Sequence, residues 1–298
     1  MRIAVTGGSG FVGGALVDSL LDRGDEVWII TRSKDSVKKQ RSGLQVVTWD
    51  ELDQEPNKLA GVDAIVNLAG ESINQRWTDK AKERILQSRL KAADRIAKFA
   101  GSLEQRPAVV INASGVSYYG TSETETFDET SEQRIMDFLS EVVDKWEAAA
   151  DEIPTDRLVK LRVSLVLGRD GGAFPLMALP YRLFGGGRVG SGKQWVSWIH
   201  MEDMVRLILF CLDNDSVSGP INASSPDPVT NDQFGRAIGR AMGRPHWFPV
   251  PAVLMKTLLG ELSVLLLEGQ RVLPRKAQEH GFEFRYATVD QAMKELVG

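Results

Sequence analysis

Residues 1–13 read MRIAVTGGSGFVG. The apolar run Ile3–Thr6 has the length and composition of a buried strand, and the pattern Val12–Arg23 is typical of an amphipathic helix. Gly7 and Gly10 lie between them and Gly13 lies at the start of the helical pattern, so these three glycines are each separated from the next by two residues. A strand, a glycine-rich turn and a helix in this order predict the first unit of a parallel α/β sheet.

Each glycine of this turn has a physical role. Gly7 permits the tight turn, Gly10 lets the backbone approach a pyrophosphate, and Gly13 lets the helix pack closely against the strand. The helix that follows offers unpaired N–H groups and the positive end of its dipole to phosphate groups. The turn, with Phe11 and Val12 in the first helical turn, therefore predicts a dinucleotide-binding site.

Strand-like and helical patterns alternate through the first half of the chain. Strands are predicted at Ile3–Thr6, Val27–Thr31, Gln45–Trp49, Ala64–Leu68, Val109–Asn112 and Leu158–Leu167. Helices are predicted at Val12–Arg23, Asp79–Ala100 and Ser131–Glu152. This alternation predicts an α/β fold with a doubly wound, Rossmann-like parallel sheet, completed by a smaller and mostly helical C-terminal substrate lobe.

The sequence changes character after Gly168. Residues 169–198 are rich in glycine and show no clear period, which is typical of a functional loop. Helices are predicted at His200–Leu212, at Asn231–Met242 and in a tail from about residue 251 to 297. We therefore divide the chain into a dinucleotide-binding domain, residues 1–168, and a substrate loop with a helical lobe, residues 169–298. Later segments near 198–225 would return to the first domain.

Composition excludes several classes of protein. The chain has 298 residues, 43% hydrophobic and 26% charged, and its net charge of −4 argues against a nucleic-acid partner. Its most apolar stretch, Val253–Leu267, is interrupted by Lys256, Gly260 and Glu261, so it is too broken to span a bilayer. We expect a cytoplasmic protein without a membrane partner. Cys211 is predicted to be a core residue, and three scattered histidines predict no metal site.

The end of the second predicted strand bears on the choice of dinucleotide. NAD-binding units carry an acidic residue there, which accepts hydrogen bonds from the ribose hydroxyls. Here the strand ends in Thr31 and Arg32, without an Asp or Glu. A guanidinium suits a 2′-phosphate and gives little selectivity for a bare hydroxyl. The sequence therefore favours NADP(H) over NAD(H).

Two stretches resemble a known superfamily. Gly7–Gly13, together with Asn67-Leu68-Ala69-Gly70 at the end of the fourth strand, resembles the extended short-chain dehydrogenases/reductases. In that superfamily the Asn-x-Ala-Gly segment stabilises the central sheet and lines the adenosine and nicotinamide riboses. The resemblance therefore implies that Leu68, Ala69 and Gly70 contact the cofactor.

Further stretches resemble one group of atypical members, the epimerase family proteins, often labelled nucleoside-diphosphate-sugar epimerases. They are Arg76–Thr78, Ser88–Arg89, Tyr118–Gly120, Trp146–Ala150, Gly190–His200 and a tail, about 248–297, that resembles the group's small helical domain. By this resemblance Ser88 and Arg89 lie on the helix that approaches the nicotinamide, and Arg84, one turn earlier, shares their face. Superfamily members commonly dimerise through helices that flank the sheet, so a homodimer is also implied.

The acid/base motif of the superfamily, Tyr-x-x-x-Lys, is absent. None of the four tyrosines is followed by a lysine four residues later. If Glu147 matches the glutamate that commonly follows the motif, Val143 occupies the lysine position and Leu139 the tyrosine position. Lys145 lies about 200° around the helix from Val143 and cannot substitute for it. Another group must therefore supply the charge stabilisation that the lysine gives, or a tyrosine must act only as a proton donor, which suits the reduction of a carbonyl.

Candidate catalytic residues follow the fifth predicted strand, at the edge where doubly wound sheets bind ligands. Ser114 occupies roughly the superfamily's serine position, and Tyr118 or Tyr119 could donate the proton. By resemblance, Lys193 and Trp195 belong to the substrate-side loop. His200 is interpreted as a structural residue at a helix start.

Three functions remain open at this point. The first is an NADP(H)-dependent oxidoreductase that reduces or oxidises a small carbonyl or alcohol with a non-standard proton donor. The second is a catalytically silent NADPH-binding sensor or scaffold. The third is a nucleotide-sugar epimerase, which needs a working base and usually a tightly retained NAD. The sequence names no substrate.

Overall fold

A computed structural model of the chain describes residues 1–37 and 41–298. Its strands, numbered along the chain, are β1 (Arg2–Thr6), β2 (Glu26–Thr31), β3 (Leu44–Thr48), β4 (Ala64–Asn67), β5 (Val109–Gly115), β6 (Thr126–Phe127), β7 (Leu158–Val163), β8 (Leu165–Gly168), β9 (Gly171–Gly172), β10 (Trp195–Val196), β11 (Trp198–His200), β12 (Gly219–Ala223), β13 (Val229–Thr230) and β14 (Arg271–Val272). Its α-helices are α1 (Phe11–Arg23), α2 (Trp49–Gln54), α3 (Asp79–Ser102), α4 (Phe138–Asp151), α5 (Phe174–Arg182), α6 (Met201–Asp213), α7 (Asn231–Met242), α8 (Ala252–Leu259), α9 (Val264–Leu267), α10 (Arg275–Glu279) and α11 (Val289–Val297).

Seven parallel strands form the central sheet, in the order β12-β7-β5-β4-β1-β2-β3. The order runs outward in both directions from β1, which is the arrangement of a doubly wound sheet with helices on both faces. One apolar core lies between the sheet and α1 with α6, and a second lies between the sheet and α3 with α4. The predicted fold class is therefore confirmed.

Smaller sheets and the late helices build the second lobe. β8 pairs with β9 and β11, and β10 pairs with β13. The lobe has its own apolar core, in which α5, α7 and α11 pack around Trp198 and Phe234. β14 in the tail pairs with β6, and this pairing connects the tail to the segment that follows β5.

The predicted strand Leu158–Leu167 is wrong as a single element. The chain breaks at Ser164, whose backbone N–H and hydroxyl both donate to the carbonyl of Ala223, at 3.1 and 2.7 Å. β7 stays in the central sheet, whereas β8 crosses into the small sheet of the lobe. A contact with a residue far along the chain sets this break, so the local apolar run contains no sign of it.

Helix ends follow local capping chemistry. The predicted helix Asn231–Met242 matches α7, which Thr230 caps in a reciprocal box with Gln233. The helix predicted from Ser131 begins only at Phe138, because Asp137 forms the capping box of α4. The predicted strand end at Trp49 is instead the first residue of α2, which Thr48 caps.

The single cysteine is a packing residue, whereas the apolar tail is divided into several short elements. Cys211 lies fully buried in α6, and burial raises the pKa of its thiol to about 12, so the prediction of a core residue is confirmed. The tail predicted as helical is divided into α8, a short 3-10 turn at Gly260–Ser263, α9, the strand β14, α10 and α11. No helix among the described residues has both the length and the apolar character needed to cross a bilayer.

Candidate functional site

The glycine-rich turn joins β1 to α1 at the C-terminal edge of the sheet. Gly7 has a φ of +69°, and a Cβ on it would lie 2.7 Å from the carbonyl oxygen of Leu68. A Cβ on Gly13 would lie 2.2 Å from the carbonyl oxygen of Gly7. Larger residues are therefore excluded at both positions, for the reasons expected from the sequence.

The first turn of α1 differs from those of the other long helices. Its N-cap is Gly10, so no side chain caps it, and it carries no acidic residue. By contrast, Thr78 caps α3 and Asp137 caps α4 through their side chains. The N–H groups at the start of α1 are thus left for a ligand, and they suit an anion such as a phosphate.

Phe11 and Val12 occupy this first turn. Val12 is half-buried, whereas Phe11 is 38% exposed and its ring packs against three glycines. A Cβ on any of Gly168, Gly171 or Gly172 would come within 2.6–2.7 Å of that ring. The start of α1, next to the glycine-rich turn, therefore contacts the β8–β9 hairpin, where the second lobe begins.

A buried chain of polar side chains aligns three strand ends at this edge. The Thr6 hydroxyl donates to Asn67 Oδ1, and the Asn67 amide donates to Asn112 Oδ1, both at 2.6 Å. The backbone N–H of Ala69 also donates to the Thr6 hydroxyl, at 3.3 Å. These bonds fix the Leu68–Gly70 segment beside the glycine-rich turn, as the Asn-x-Ala-Gly resemblance implies for sheet stability.

Arg89 is a mostly buried cation without an ion-pair partner among the described residues. Its guanidinium donates to the carbonyls of Glu71 and Ile85, at 3.0 and 2.9 Å, and lies against Gly70. Burial lowers the pKa of Arg89 to about 10, because the fold provides no carboxylate in direct contact to balance its charge. Such a group is suited to a polar or anionic ligand.

The neighbours of Arg89 on α3 contact the same loop. Ser88 Oγ accepts the Glu71 N–H at 2.8 Å and donates to the carbonyl of Ile85. Arg84 is exposed, forms an ion pair with Glu71 at 3.5 Å and donates to Gln75 Oε1 at 2.9 Å. The structure therefore brings Ser88 and Arg89 to the site, and places Arg84 at its exposed rim.

Thr31 ends β2 and Arg32 follows it, two strands away from Leu68. The Thr31 hydroxyl is within 2.9 Å of Ser36 Oγ and donates to the carbonyl of Ser33, which shapes the turn. Arg32 is exposed and forms no hydrogen bond or ion pair with any residue of 1–37 or 41–298. Its guanidinium is available to a ligand at this edge.

Ser114 lies at the end of β5 in a buried polar network. Its hydroxyl donates to Glu147 Oε1 of α4 at 2.6 Å. Arg162 of β7 donates to both oxygens of that carboxylate, at 2.8 and 3.0 Å. Ser114, Glu147 and Arg162 are each at most 5% exposed, so the ion pair is shielded from water.

The two candidate tyrosines have different surroundings. Tyr119 is fully buried, donates to Asn222 Oδ1 at 2.8 Å and accepts from Arg162 at 3.0 Å. Burial raises the pKa of Tyr119 to about 12. Tyr118 is half-buried, and the Arg162 guanidinium carbon lies 3.3 Å from the centre of its ring. Arg162 therefore links both tyrosines to the Ser114–Glu147 pair.

Glu129 connects this network to the tail. Its carboxylate accepts the backbone N–H groups of Asn222 and Lys276, at 3.0 and 3.2 Å. The Asn222 side chain donates to the carbonyl of Leu273 at 3.0 Å. Burial raises the pKa of Glu129 above its ordinary value. The last strand of the sheet and the tail thus close over one side of the network.

Apolar side chains occupy the positions that the superfamily motif would give to tyrosine and lysine. Leu139 is buried in a cluster with Trp77, and Val143 is buried against Gly115. Lys145 is exposed. Neither motif position carries a group that transfers protons.

The predicted substrate-loop residues lie outside this network. Lys193 is exposed, and its ammonium contacts no other candidate residue. The Trp195 indole N–H donates to the carbonyl of Glu123 at 2.8 Å, and its ring packs against Arg271. His200 caps α6 through Nδ1, and its Nε2 is 2.9 Å from Glu295 Oε2, in keeping with a structural role.

Sequence reasoning missed Arg162 and Asn222, and used Glu147 only to align the motif. One signal was present: Lys160 and Arg162 are spaced to share one face of a strand that is otherwise apolar. The structure directs both toward α4, where Lys160 pairs with Asp151 at 2.9 Å. Asn222 lies in Gly219–Ala223, which reads as a loop in the sequence.

Comparisons with known proteins agree with this architecture. Residues 3–137 match the NAD dependent epimerase/dehydratase family, and residues 250–296 match a domain of unknown function, DUF1731. The epimerase family protein YfhF of Bacillus subtilis is 40% identical over 300 residues, which cover all of this chain and 98% of the relative.

Two solved structures are similar over the whole chain. Human epimerase family protein SDR39U1 (isoform 2), solved with NADPH, is 39% identical, with a TM-score of 0.91 and 99% of its chain covered. A nucleoside-diphosphate sugar epimerase from Corynebacterium glutamicum is 30% identical, with a TM-score of 0.79 and 58% of its chain covered. The chain therefore belongs to the epimerase family proteins of the extended short-chain dehydrogenase/reductase superfamily.

Proposed function

We propose that this protein is an NADP(H)-dependent oxidoreductase that acts on a small carbonyl or alcohol, with Tyr118 as its proton donor. The observation that carries the proposal is the 3.3 Å contact between the Arg162 guanidinium and the Tyr118 ring. It places a fixed positive charge beside a half-buried phenol, at the sheet edge where ligands bind. The NADPH in the human relative supports the choice of cofactor.

The residues of this edge fit a dinucleotide. Gly7, Gly10 and the uncapped start of α1 would hold the pyrophosphate, and Arg32 the 2′-phosphate. Arg89 and the Leu68–Gly70 segment would contact the nicotinamide half, since Arg89 keeps unpaired donors there. Bound NADPH supplies a hydride to a carbonyl carbon or, as NADP⁺, accepts one from an alcohol.

Tyr118 is better placed than Tyr119 to give a proton to the substrate oxygen. The Tyr119 proton is committed to Asn222 in a fully buried site, and its raised pKa makes ionisation harder. Tyr118 forms no such hydrogen bond with the described residues and has access to solvent. The guanidinium of Arg162 lies against the Tyr118 ring, so it supplies a positive charge beside the phenol where the superfamily motif has a lysine.

Ser114 would orient the reacting oxygen. In the present arrangement its hydroxyl donates to Glu147, so its lone pairs can accept a hydrogen bond from a substrate alcohol. For a carbonyl, the hydroxyl turns away from Glu147 and donates to the substrate. Arg162 stays hydrogen-bonded to both oxygens of Glu147 in either case.

Turnover of NADPH distinguishes the oxidoreductase from the other two functions, the epimerase and the sensor. An epimerase must both remove and return a proton, and the motif positions carry Leu139 and Val143. A sensor would bind NADPH without consuming it. Oxidation of NADPH by any member of a panel of aldehydes and ketones supports the oxidoreductase. It is measured as the loss of reduced-nicotinamide absorbance. Tight NADPH binding without turnover on the panel contradicts it.

Arg32→Ala tests the cofactor preference. A hydrogen bond to a charged group contributes about 1.5–3 kcal/mol, so we expect NADPH binding to weaken about 10- to 100-fold. NADH binding should stay unchanged, because NADH has no 2′-phosphate. The measurement is a fluorescence titration with each nucleotide, and Arg106→Ala, at an exposed site before β5, is the control. An equal weakening of NADPH and NADH binding contradicts the assignment of Arg32 to the 2′-phosphate.

Arg89→Met separates ligand binding from stability. We expect NADPH binding to weaken at least about tenfold, because a charged hydrogen-bond donor is removed. Thermal melting of the unliganded protein should change little. The folded-state pKa of Arg89, about 10, lies below the ordinary value, so its charge is disfavoured by folding. Removing this charge therefore offsets the loss of two hydrogen bonds to carbonyls. A large drop in melting temperature with unchanged NADPH binding would assign Arg89 to the fold.

A further inference from the structure

Two segments of the second lobe are entirely free of acidic residues. Residues 171–200 and 233–260 contain seven Lys and Arg and no Asp or Glu, in a chain whose net charge is −4. The rest of the protein is correspondingly acidic. Arg236 and Arg240 pair with Asp232 and Asp290, so the other five cations carry the unbalanced positive charge of these segments.

The structure joins the two segments into one surface. Val189 and Val250 form a β-bridge, and the backbone N–H of Trp247 donates to the carbonyl of Gly186 at 2.9 Å. The Trp247 indole N–H donates to the carbonyl of Phe184 at 2.9 Å. We call this surface, residues 176–193 with 244–258, the lobe surface.

The lobe surface exposes large apolar side chains. No residue of α8 is buried, although six of its eight residues are apolar. Val253 is 75% exposed, Leu183 72% and Trp247 66%. Leu258, Phe184 and Phe248 are also more than half exposed. A concentration of exposed Leu, Phe and Trp on one face marks an interaction site.

The cations of the lobe surface lack partners. Arg182, Arg188, Lys193 and Lys256 form no ion pair with any described residue. Arg244 lies 4.3 Å from the centre of the Phe184 ring and has no carboxylate partner in the part of the chain that the structure describes. Unpaired charge therefore surrounds the exposed aromatic side chains.

We propose that the lobe surface docks on an anionic lipid bilayer, with its apolar side chains at the headgroup level and its cations on lipid phosphates. Exposed Trp, Phe and Leu beside Arg and Lys are the composition that binds this interface. A second copy seated symmetrically on the same surface would bring like charges together. The proposal departs from the sequence expectation of no membrane partner, for which the argument was that the apolar stretch is too broken to span a bilayer.

Sedimentation with lipid vesicles tests the proposal on the full-length protein. We expect binding to vesicles of phosphatidylcholine mixed with phosphatidylglycerol, and none to phosphatidylcholine alone. Each cation near an anionic surface contributes about fivefold in affinity, so Arg182→Gln/Arg244→Gln should bind about 30-fold more weakly. Val253→Ser/Leu258→Ser should also reduce binding. The tryptophan emission of the protein should shift to the blue on binding, and this shift should be absent from Trp247→Phe.

The control removes the same charge elsewhere. Lys98→Gln/Arg106→Gln changes two exposed cations outside the lobe surface and should bind as the wild type does. NADPH binding by every variant checks the fold independently. No binding to anionic vesicles overturns the proposal, and so does equal binding by all variants. A concentration-dependent dimer that Val253→Ser/Leu258→Ser abolishes assigns the surface to a second copy, and also overturns it.

Discussion

Tyr118→Phe is expected to slow carbonyl reduction by about 10²–10⁴-fold, because general acid catalysis contributes that much and no other described phenol can take its place. NADPH binding should stay unchanged, since the hydroxyl is not needed to hold the cofactor. The measurement is the single-turnover rate of NADPH oxidation with a substrate identified from the panel.

Tyr119→Phe is the matched control for Tyr118→Phe. It removes a hydroxyl one residue away that bonds to Asn222 and Arg162. Leaving those two buried groups short of a partner costs about 1–3 kcal/mol of folding free energy. We therefore expect a less stable protein with a near-normal rate per folded molecule. A larger loss of rate in Tyr119→Phe than in Tyr118→Phe would assign the proton donor to Tyr119.

Arg162→Met is expected to lower the free energy of unfolding by about 3–5 kcal/mol, because it leaves the buried carboxylate of Glu147 without its cation. For a chain of this size the melting temperature should fall by about 10 °C. Lys160 offers only weak compensation, since its ammonium lies 3.8 Å from Glu147 and is paired with Asp151. Urea or thermal unfolding, followed by circular dichroism, measures the change.

Two further variants test whether the loss of stability in Arg162→Met comes from the unbalanced charge of Glu147. Glu147→Leu/Arg162→Met removes both charges and should recover most of the lost stability, because apolar replacement of a buried pair is often neutral. Lys98→Met breaks an exposed pair with Asp94 and should change stability by no more than about 0.5 kcal/mol. If the double variant is as unstable as Arg162→Met, packing rather than charge would explain the loss.

Local chemistry explains which elements the sequence predicts well. The glycine-rich turn is predictable because a positive φ at Gly7 and the close approach at Gly13 leave no other residue possible. The limits of α7 are predictable because Thr230 caps it and Gly243 ends it in the left-handed conformation. Each of these signals is contained within a few residues.

The polar network could not be predicted because its partners are distant in sequence. Ser114 and Glu147 are 33 residues apart, and Tyr119 and Asn222 are 103 apart. The packing of α4 against β5 brings the first pair together, and the pairing of β12 with β7 brings Asn222 to Tyr119. β12 itself is short and begins with Gly219 and Pro220, which are typical of turns. Its place beside β7 depends on the completed sheet.

The late position of β12 and the tail has a consequence for protein synthesis. The central sheet gains its last strand only at Gly219–Ala223, and Glu129 gains its second hydrogen-bonded N–H only at Lys276. Chains emerge from the ribosome N-terminus first, so the glycine-rich turn forms long before the edge of β7 is covered. A nascent chain therefore exposes an open parallel edge at least until Ala223, about three-quarters of the 298 residues, has been made. During that interval the unpaired edge of β7 is exposed to pairing with other chains.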